Sequence, residues 1–180
     1  MREHVIDRFA IPGSDVQGPV LGGMEFRSFM RERVLRRLTN LSKSAAVPSD
    51  PAAWLEAFDQ LTSDYDRAGG RLLHMDLRAE NVCVADGKIV AVLDVTNAMV
   101  GDPRCEVGRL EAYGSASDDF LGGYGVSPEE IHRDPVVALY AVDTTAMLAL
   151  LARDELDDDD MQRAMVRRTA ELLRLVLARH

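Results

Sequence analysis

The feature that most constrains the fold is a pair of apolar runs on either side of Asp86-Gly87. Val82-Cys83-Val84 comes before this dipeptide, and Ile89-Val90-Ala91-Val92-Leu93 follows it. An Asp-Gly pair between apolar runs is typical of a β-hairpin, because both residues of its tight turn need positive φ. Leu72-Leu73, further upstream, is also strand-like. The sequence therefore predicts a small hairpin, preceded by a polar loop that begins after Leu73.

The predicted hairpin has a consequence for three polar residues. Asp76 and Asn81 lie in the loop before the first strand, and Asp94 follows the returning strand. Because antiparallel pairing brings the start of one strand beside the end of the other, these side chains can converge. Two carboxylates and an amide supply the hard oxygen ligands that suit a magnesium ion carrying phosphates.

The same residues carry a resemblance to a known family. His74-x-Asp76-Leu77-x-x-x-Asn81 resembles the catalytic loop of the protein-kinase-like phosphotransferases. Leu93-Asp94-Val95-x-x-Ala98-x-x-Gly101-Asp102-Pro103 resembles the corresponding segment of the small-molecule branch, the aminoglycoside phosphotransferases and choline kinases. The order and the spacing of the two segments match. The chain is identified on these motifs as similar to that branch.

The resemblance implies roles for the three polar residues. Asp76 is expected to be the base that orients the substrate hydroxyl, while Asn81 and Asp94 hold the metal and the nucleotide. The cofactors implied are Mg²⁺ and ATP or another nucleotide. The implied reaction is magnesium-dependent transfer of a phosphoryl group to a small-molecule hydroxyl.

The resemblance also assigns three supporting residues. His74 and Asp102 are expected to hold the loop in shape through hydrogen bonds. His74 is assigned to the catalytic residues together with Asp76 and Arg78. Arg78 is expected to place a positive charge near the transferred phosphate.

Four positions depart from the family pattern. Met75 and Arg78 stand where this branch usually has Gly and His around the base. Val95 replaces an aromatic residue, and Glu106 replaces an aspartate after Gly-Asp-Pro. These departures bear on substrate and mechanism within the family.

Helical periodicity dominates the rest of the chain. Helices are predicted over 24–41, over 51–68 with Gly69-Gly70 as its stop, over 103–111, over 135–152, and after the acidic residues 157–160. Asp-Pro pairs cap three of these helices. Residues 114–125 are predicted to be a loop, and Ser127 to open a capping-box helix. The expected class is α+β, mainly helical, which by resemblance is the C-terminal lobe of the protein-kinase-like fold, with the hairpin carrying the site.

The expected domain organisation is a short segment over 1–23, loop or edge strand, and a single domain over 24–180. Complete kinases of this type have a preceding nucleotide lobe with a phosphate-covering loop and a lysine. No lysine precedes Lys43, and the early glycines lack the Gly-x-Gly-x-x-Gly spacing. The nucleotide lobe is therefore expected to be absent. A homodimer or a partner chain is expected to cover the surface left behind.

The composition of the chain limits the classes of partner that it is expected to bind. The net charge of −9 argues against a nucleic-acid surface and permits a cationic small-molecule substrate. No apolar run is expected to approach the about 20 residues that span a bilayer, so no membrane partner is predicted. Cys83 and Cys105 form no disulfide framework, which is typical of a cytoplasmic protein.

Two questions stay open at this level. Asp143 interrupts the apolar helix over 135–152, where it is either a substrate-binding residue, a satisfied buried acid or a solvent-facing residue. The function is either phosphoryl transfer, acid–base chemistry on a small metabolite by a trimmed kinase scaffold, or non-catalytic binding or regulation.

Overall fold

The computed structural model describes residues 24–43, 47, 50–65 and 71–178. Within this part of the chain, helices carry most of the residues and four short strands carry the rest of the regular structure. The helices are α1 (Met24–Ser42), α2 (Pro51–Leu61), α3 (Pro103–Tyr113), α4 (Asp118–Tyr124), α5 (Pro128–Arg133), α6 (Pro135–Leu151) and α7 (Asp159–Leu177). The strands are β1 (Arg71–Leu73), β2 (Val82–Ala85), β3 (Lys88–Val92) and β4 (Met99–Gly101). The mainly helical α+β class is confirmed.

Helix α6 is the centre of the core. It is apolar on nearly all sides and packs against α1, α3 and α7. With the π-helical turn Ala152–Leu156 it forms a stretch, Pro135–Leu156, that is long and apolar enough to cross a membrane by those two criteria alone. The expectation that no segment reaches this length is therefore wrong. Because 72% of the apolar window is buried inside the protein, its hydrophobicity is explained by packing in the core.

The second helix begins as predicted and ends earlier. The Asp50 side chain accepts hydrogen bonds from the backbone of Ala52 and Ala53, and proline follows it. The helix stops at Leu61, short of the predicted residue 68, where the Thr62 hydroxyl donates to the carbonyl of Phe58 at 2.7 Å. A hydroxyl that competes for a helical carbonyl favours an end to the helix. Gly69 and Gly70, the predicted stop, lie outside the described residues.

Residues 114–125 are not a loop, because α4 lies within them. The Ser117 hydroxyl caps this helix by accepting from the backbone of Phe120, and Gly125 ends it with a φ of +85°. The next helix, α5, begins at Pro128 as predicted. Its Ser127 makes no side-chain cap bond, so the predicted capping box does not form.

The strands form two separate antiparallel pairs. β2 and β3 make the predicted hairpin, with φ of 51° at Asp86 and 71° at Gly87. β1 pairs with β4, a strand that the sequence pattern did not reveal, and Leu73 lies opposite Met99. The second pair sets the position of the candidate site.

Part of the predicted organisation cannot be compared with the fold. Residues 1–23 and most of the linker over 45–49 lie outside the described residues. The division into a short segment over 1–23 and one domain over 24–180 stays a prediction.

Candidate active site

Two loops face each other because the two strand pairs hold both of their ends. The Asp76 loop (residues 74–81) leaves β1 and enters β2, whereas the Asp94 loop (residues 93–98) leaves β3 and enters β4. Leu73 pairs with Met99 at one end, and Val82 pairs with Val92 at the other. The topology therefore brings together the segments that carry Asp76, Asn81 and Asp94, as the hairpin predicted.

Hydrogen bonds join the two loops directly. The His74 Nε2 atom lies 2.8 Å from the carbonyl of Leu93, and the backbone of Leu93 donates to the carbonyl of Asn81 at 2.8 Å. The backbone of Asp76 donates to His74 Nδ1 at 3.3 Å, which requires the tautomer with its hydrogen on Nε2. His74 therefore connects the Asp76 backbone to the residue before Asp94.

The Asp76 carboxylate has partners inside its own loop. Arg78 donates to it through Nε at 2.9 Å and through Nη2 at 3.2 Å, and Asn81 Nδ2 donates at 3.2 Å. Asp76 is 8% exposed, whereas the Arg78 side chain is 46% exposed. The hydrogen bond to Asp76 raises the pKa of Arg78. The carboxylate is therefore held in one orientation by a cation that can reach solvent.

Glu106 supports this loop, and the sequence analysis noted it only as a departure from the family pattern. It is 3% exposed and accepts from the backbone of His74 at 2.5 Å and of Met75 at 3.0 Å. Met75 has a φ of 64°, a left-handed conformation that costs energy for a residue with a side chain. Two charge-assisted bonds to consecutive amides stabilise this turn. The signal that could have found Glu106 is its position at the family's aspartate.

Asp94 lies at the exposed end of the site. Its backbone is left-handed, with a φ of 57°, and Thr96 donates a hydroxyl hydrogen bond to its carboxylate. That bond lowers the pKa of Asp94, and the nearby charge of Arg78 lowers it further. Asp94 therefore lies within electrostatic reach of the Asp76 loop.

Asp102 has a different position from the one expected. Its carboxylate caps α3 by accepting from the backbone and guanidinium of Arg104, and the Tyr140 hydroxyl lies 3.4 Å away. Its hydrogen bonds therefore stabilise the start of α3 and its packing on α6. The bonds that hold the Asp76 loop come from Glu106 instead.

A family model confirms what the motifs indicated. The model of the phosphotransferase enzyme family matches residues 17–139, which include both loops, Glu106 and the start of α6. The chain belongs to this family. A search of curated proteins found no match.

Solved structures of aminoglycoside phosphotransferase APH(4)-Ia share the fold of this phosphotransferase-family chain. A thermostable mutant in a ternary complex with ADP and hygromycin B has a TM-score of 0.59 and 19% identity. The APH(4)-Ia crystal structure has a TM-score of 0.56 and 21% identity. Each match covers 83% of this chain and 52% of the other, so the chain spans about half the length of the structures it matches.

The family implies a metal and a nucleotide, and the two loops carry oxygen atoms of the kind that magnesium takes as ligands. In the described part of the chain no three His, Cys, Asp or Glu residues gather as metal ligands. Magnesium in phosphoryl-transfer sites usually takes only one or two carboxylates, with phosphates and waters as its other ligands. Because Asn81 uses its Nδ2 for Asp76, its Oδ1 is left to bind a cation, and the exposed Asp94 supplies a carboxylate.

Asp143 does not belong to this site. It is 1% exposed on α6, where its carboxylate binds the guanidinium groups of Arg33 and Arg37 from α1. Burial alone would raise the pKa of Asp143, but the two arginines hold it below its ordinary value. Of the three alternatives, the satisfied buried acid describes this environment, so no substrate role is assigned to Asp143.

Proposed function

We propose that this chain carries the base and the metal ligands of a small-molecule kinase and acts in magnesium-dependent phosphoryl transfer to a hydroxyl group. The supporting observation is the hydrogen-bonded pair of loops, in which His74 and Asn81 both contact Leu93, the residue before Asp94. These hydrogen bonds within the chain hold an oxygen-rich loop and an exposed aspartate together. Family membership agrees with this chemistry.

In the proposed reaction, Asp76 orients the acceptor hydroxyl and takes its proton, and Asn81 and Asp94 hold the metal. Bound magnesium would neutralise charge on the nucleotide phosphates. Arg78 now pairs with the Asp76 carboxylate, so the acceptor hydroxyl has to replace it there. We propose that Arg78 then turns its exposed guanidinium toward the transferred phosphoryl group, where it offsets developing charge.

We also propose what covers the exposed apolar face of the hairpin. One face of the hairpin is formed by Val82, Val84, Ile89 and Val92, because cross-strand partners point to the same side of a sheet. Val84 and Ile89 are 63% and 68% exposed. A partner chain that carries a nucleotide lobe, or a second copy of this chain, would cover this face. We further propose that the phosphoryl acceptor is a cationic small molecule and that the protein is cytoplasmic.

One observation favours a second candidate, a non-catalytic binding module. The Asp76 carboxylate accepts two hydrogen bonds from Arg78 and one from Asn81, and these donors compete with an acceptor hydroxyl for its oxygens. If Arg78 stays in place when ligands bind, the loop positions a ligand without reacting. Acid–base chemistry on a metabolite would likewise require Arg78 to leave the Asp76 carboxylate.

Calorimetric titration with AMP-PNP and magnesium tests the metal assignment. We expect binding that requires magnesium and is lost in Asp94→Ala, because the exposed carboxylate is the charged ligand. Asp86→Asn is the matched control, since it changes an exposed aspartate of the same hairpin with positive φ, a conformation that asparagine accepts. The proposal fails if millimolar nucleotide does not bind, or if Asp94→Ala binds it as well as the wild type.

Asp76→Asn then separates catalysis from binding. We expect nucleotide affinity to be unchanged and phosphoryl transfer to fall by roughly 10²- to 10⁴-fold, which is typical for loss of a general base. Transfer is measured with an acceptor panel of cationic and neutral alcohols. Equal activity in Asp76→Asn and wild type would exclude Asp76 as the base, and no transfer by the nucleotide-bound wild type favours the binding module.

A further inference from the structure

A cavity of about 80 Å³ lies between α3, α5, α6 and α7, and the residues that line it belong to neither of the two loops. Its buried wall is formed by apolar side chains of three helices, each at most 6% exposed: Ile131, Val137, Ala141 and Leu172. Because a bound water needs at least about 10–15 Å³, the cavity has room for about five to eight groups of that size. It can therefore hold a small apolar group, such as a branched hydrocarbon side chain.

An acidic residue lines this cavity from α3. The Glu111 side chain is 19% exposed, and its carboxylate partner among the described residues is His132, with Oε1 3.5 Å from Nε2. That distance is long for a hydrogen bond, and the contact is an ion pair only when the imidazole is protonated. A largely buried carboxylate needs donors to offset its loss of water. Glu111 can therefore accept hydrogen bonds from a positively charged group that enters the cavity.

A basic residue lines the same cavity from α7. The Arg168 side chain is 48% exposed, and its Nη1 lies 3.6 Å from Glu171 Oε2, beyond hydrogen-bond distance. Its guanidinium group can therefore donate to a carboxylate at the mouth of the cavity. A purely cationic ligand would be repelled by Arg168, and a purely anionic one by Glu111. The lining thus favours a ligand that carries both charges beside an apolar group.

We propose that this cavity binds a small zwitterion, a free α-amino acid with a branched aliphatic side chain. Glu111 accepts hydrogen bonds from its ammonium group, Arg168 donates to its carboxylate, and its side chain packs against the apolar wall. The site goes beyond the proposed phosphoryl transfer and does not depend on it, because no residue of the two loops takes part.

Titration of the full chain with L-valine, without magnesium or nucleotide, tests this site by amide NMR spectroscopy. We expect saturable shifts that include the amides of Ile131 and Leu172, on the cavity wall. Two analogues test the charges, since isobutylamine lacks the carboxylate of valine and isovalerate lacks its ammonium group. Each should bind at least about tenfold more weakly than L-valine, as expected for loss of a charge-assisted hydrogen bond.

Two variants test the assigned residues. Glu111→Gln and Arg168→Gln should each weaken L-valine binding roughly ten- to hundredfold. In Glu111→Gln the preference for L-valine over isovalerate should also be lost, an effect that a general loss of structure would not produce. Glu130→Gln and Arg167→Gln are the matched controls, because both residues are exposed, lie on α5 and α7, and do not line the cavity.

The outcomes are distinct from those of the kinase experiments. Asp94→Ala should bind L-valine as the wild type does, and Glu111→Gln should bind nucleotide as the wild type does. Amide spectra of the variants check that the fold is kept. The proposal is overturned if millimolar L-valine gives no saturable shifts, if either analogue binds as tightly as L-valine, or if Glu111→Gln binds L-valine as tightly as Glu130→Gln.

Discussion

The β2–β3 hairpin and helix α6 reverse the usual relation between polarity and burial. The hairpin leaves Val84, Ile89 and Val90 more than 60% exposed. Helix α6 buries Asp143 and Thr145 to 1% exposure or less. Every one of these residues is unusual for its surroundings, since apolar side chains favour the interior and charged ones favour water.

The two regions differ in whether these side chains have contact partners within the chain. Asp143 binds two arginines, and the Thr145 hydroxyl oxygen accepts from Thr169 at 2.9 Å, so the buried polar groups of α6 are satisfied within the chain. The apolar face of the hairpin is open to solvent. An exposed apolar face of this kind marks a surface for association. The polar groups of α6 thus have partners within the chain, whereas the apolar face of the hairpin is the surface on which the proposed partner would bind.

The largest effect is expected from Asp143→Ala. Removal of the carboxylate leaves two buried guanidinium groups without their counter-charge, which should lower the free energy of unfolding by about 3–5 kcal/mol. Asp154→Ala removes an exposed ion pair with Arg153 and should change the free energy of unfolding far less, because water screens that pair. Urea denaturation measures both. An equal loss of unfolding free energy in the two variants would mean that the Asp143 ion pairs are as accessible to water as the surface pair. That result would contradict the burial of polar groups in α6.

Substitution of two isoleucines, one buried and one exposed on the hairpin, tests the same comparison for apolar side chains. Ile131 is 6% exposed beside Val137, whereas Ile89 is 68% exposed on the hairpin. Ile131→Ala should lower the free energy of unfolding by about 2–5 kcal/mol, and Ile89→Ala should change it by less than about 0.5 kcal/mol. Ile89→Ala should instead weaken self-association or partner binding, measured by analytical ultracentrifugation. A large stability loss in Ile89→Ala would mean that the hairpin face is already packed.

A smaller effect is expected at Gly101, which ends the strand that holds the site. A Cβ atom there would clash with the Phe26 ring, so Gly101→Ala should cost about 1–3 kcal/mol through overpacking. Gly122 on α4 has no atom within 4 Å of such a Cβ. Gly122→Ala should therefore be neutral or slightly stabilising, and thermal denaturation of both variants measures the difference. Similar midpoints for both variants would contradict close packing of β4 on α1.

The acid dependence of stability gives the last test. Because the folded-state pKa of Asp143 is lowered, its contribution is fully present above the unfolded value of about 4 and is lost as pH falls through the folded value. The difference in unfolding free energy between wild type and Asp143→Asn should be constant from pH 7 to about 5. It should then shrink as the pH is lowered further. A difference that stays constant into strong acid would exclude this linkage.

The motif residues of the candidate site could be read from the sequence. The spacing of His74, Asp76 and Asn81, with Asp94 after the hairpin, indicates the loops and the family. The contacts that hold the site together could not be read from the sequence. Glu106 reaches the backbone of His74 from 32 residues away along the chain, and no local pattern reveals such a bond.

The sequence by itself determined the local events, since their causes lie within a few residues. Asp86 and Gly87 set the hairpin turn, and Asp50 and Asp134 cap their helices through side chains that reach only the next turn. Only the tertiary structure decided which distant groups meet, including β1 with β4 and Asp143 with Arg33, 110 residues apart. A charged side chain takes the partner that packing of the whole core brings to it, so its role is settled only when the helices are assembled.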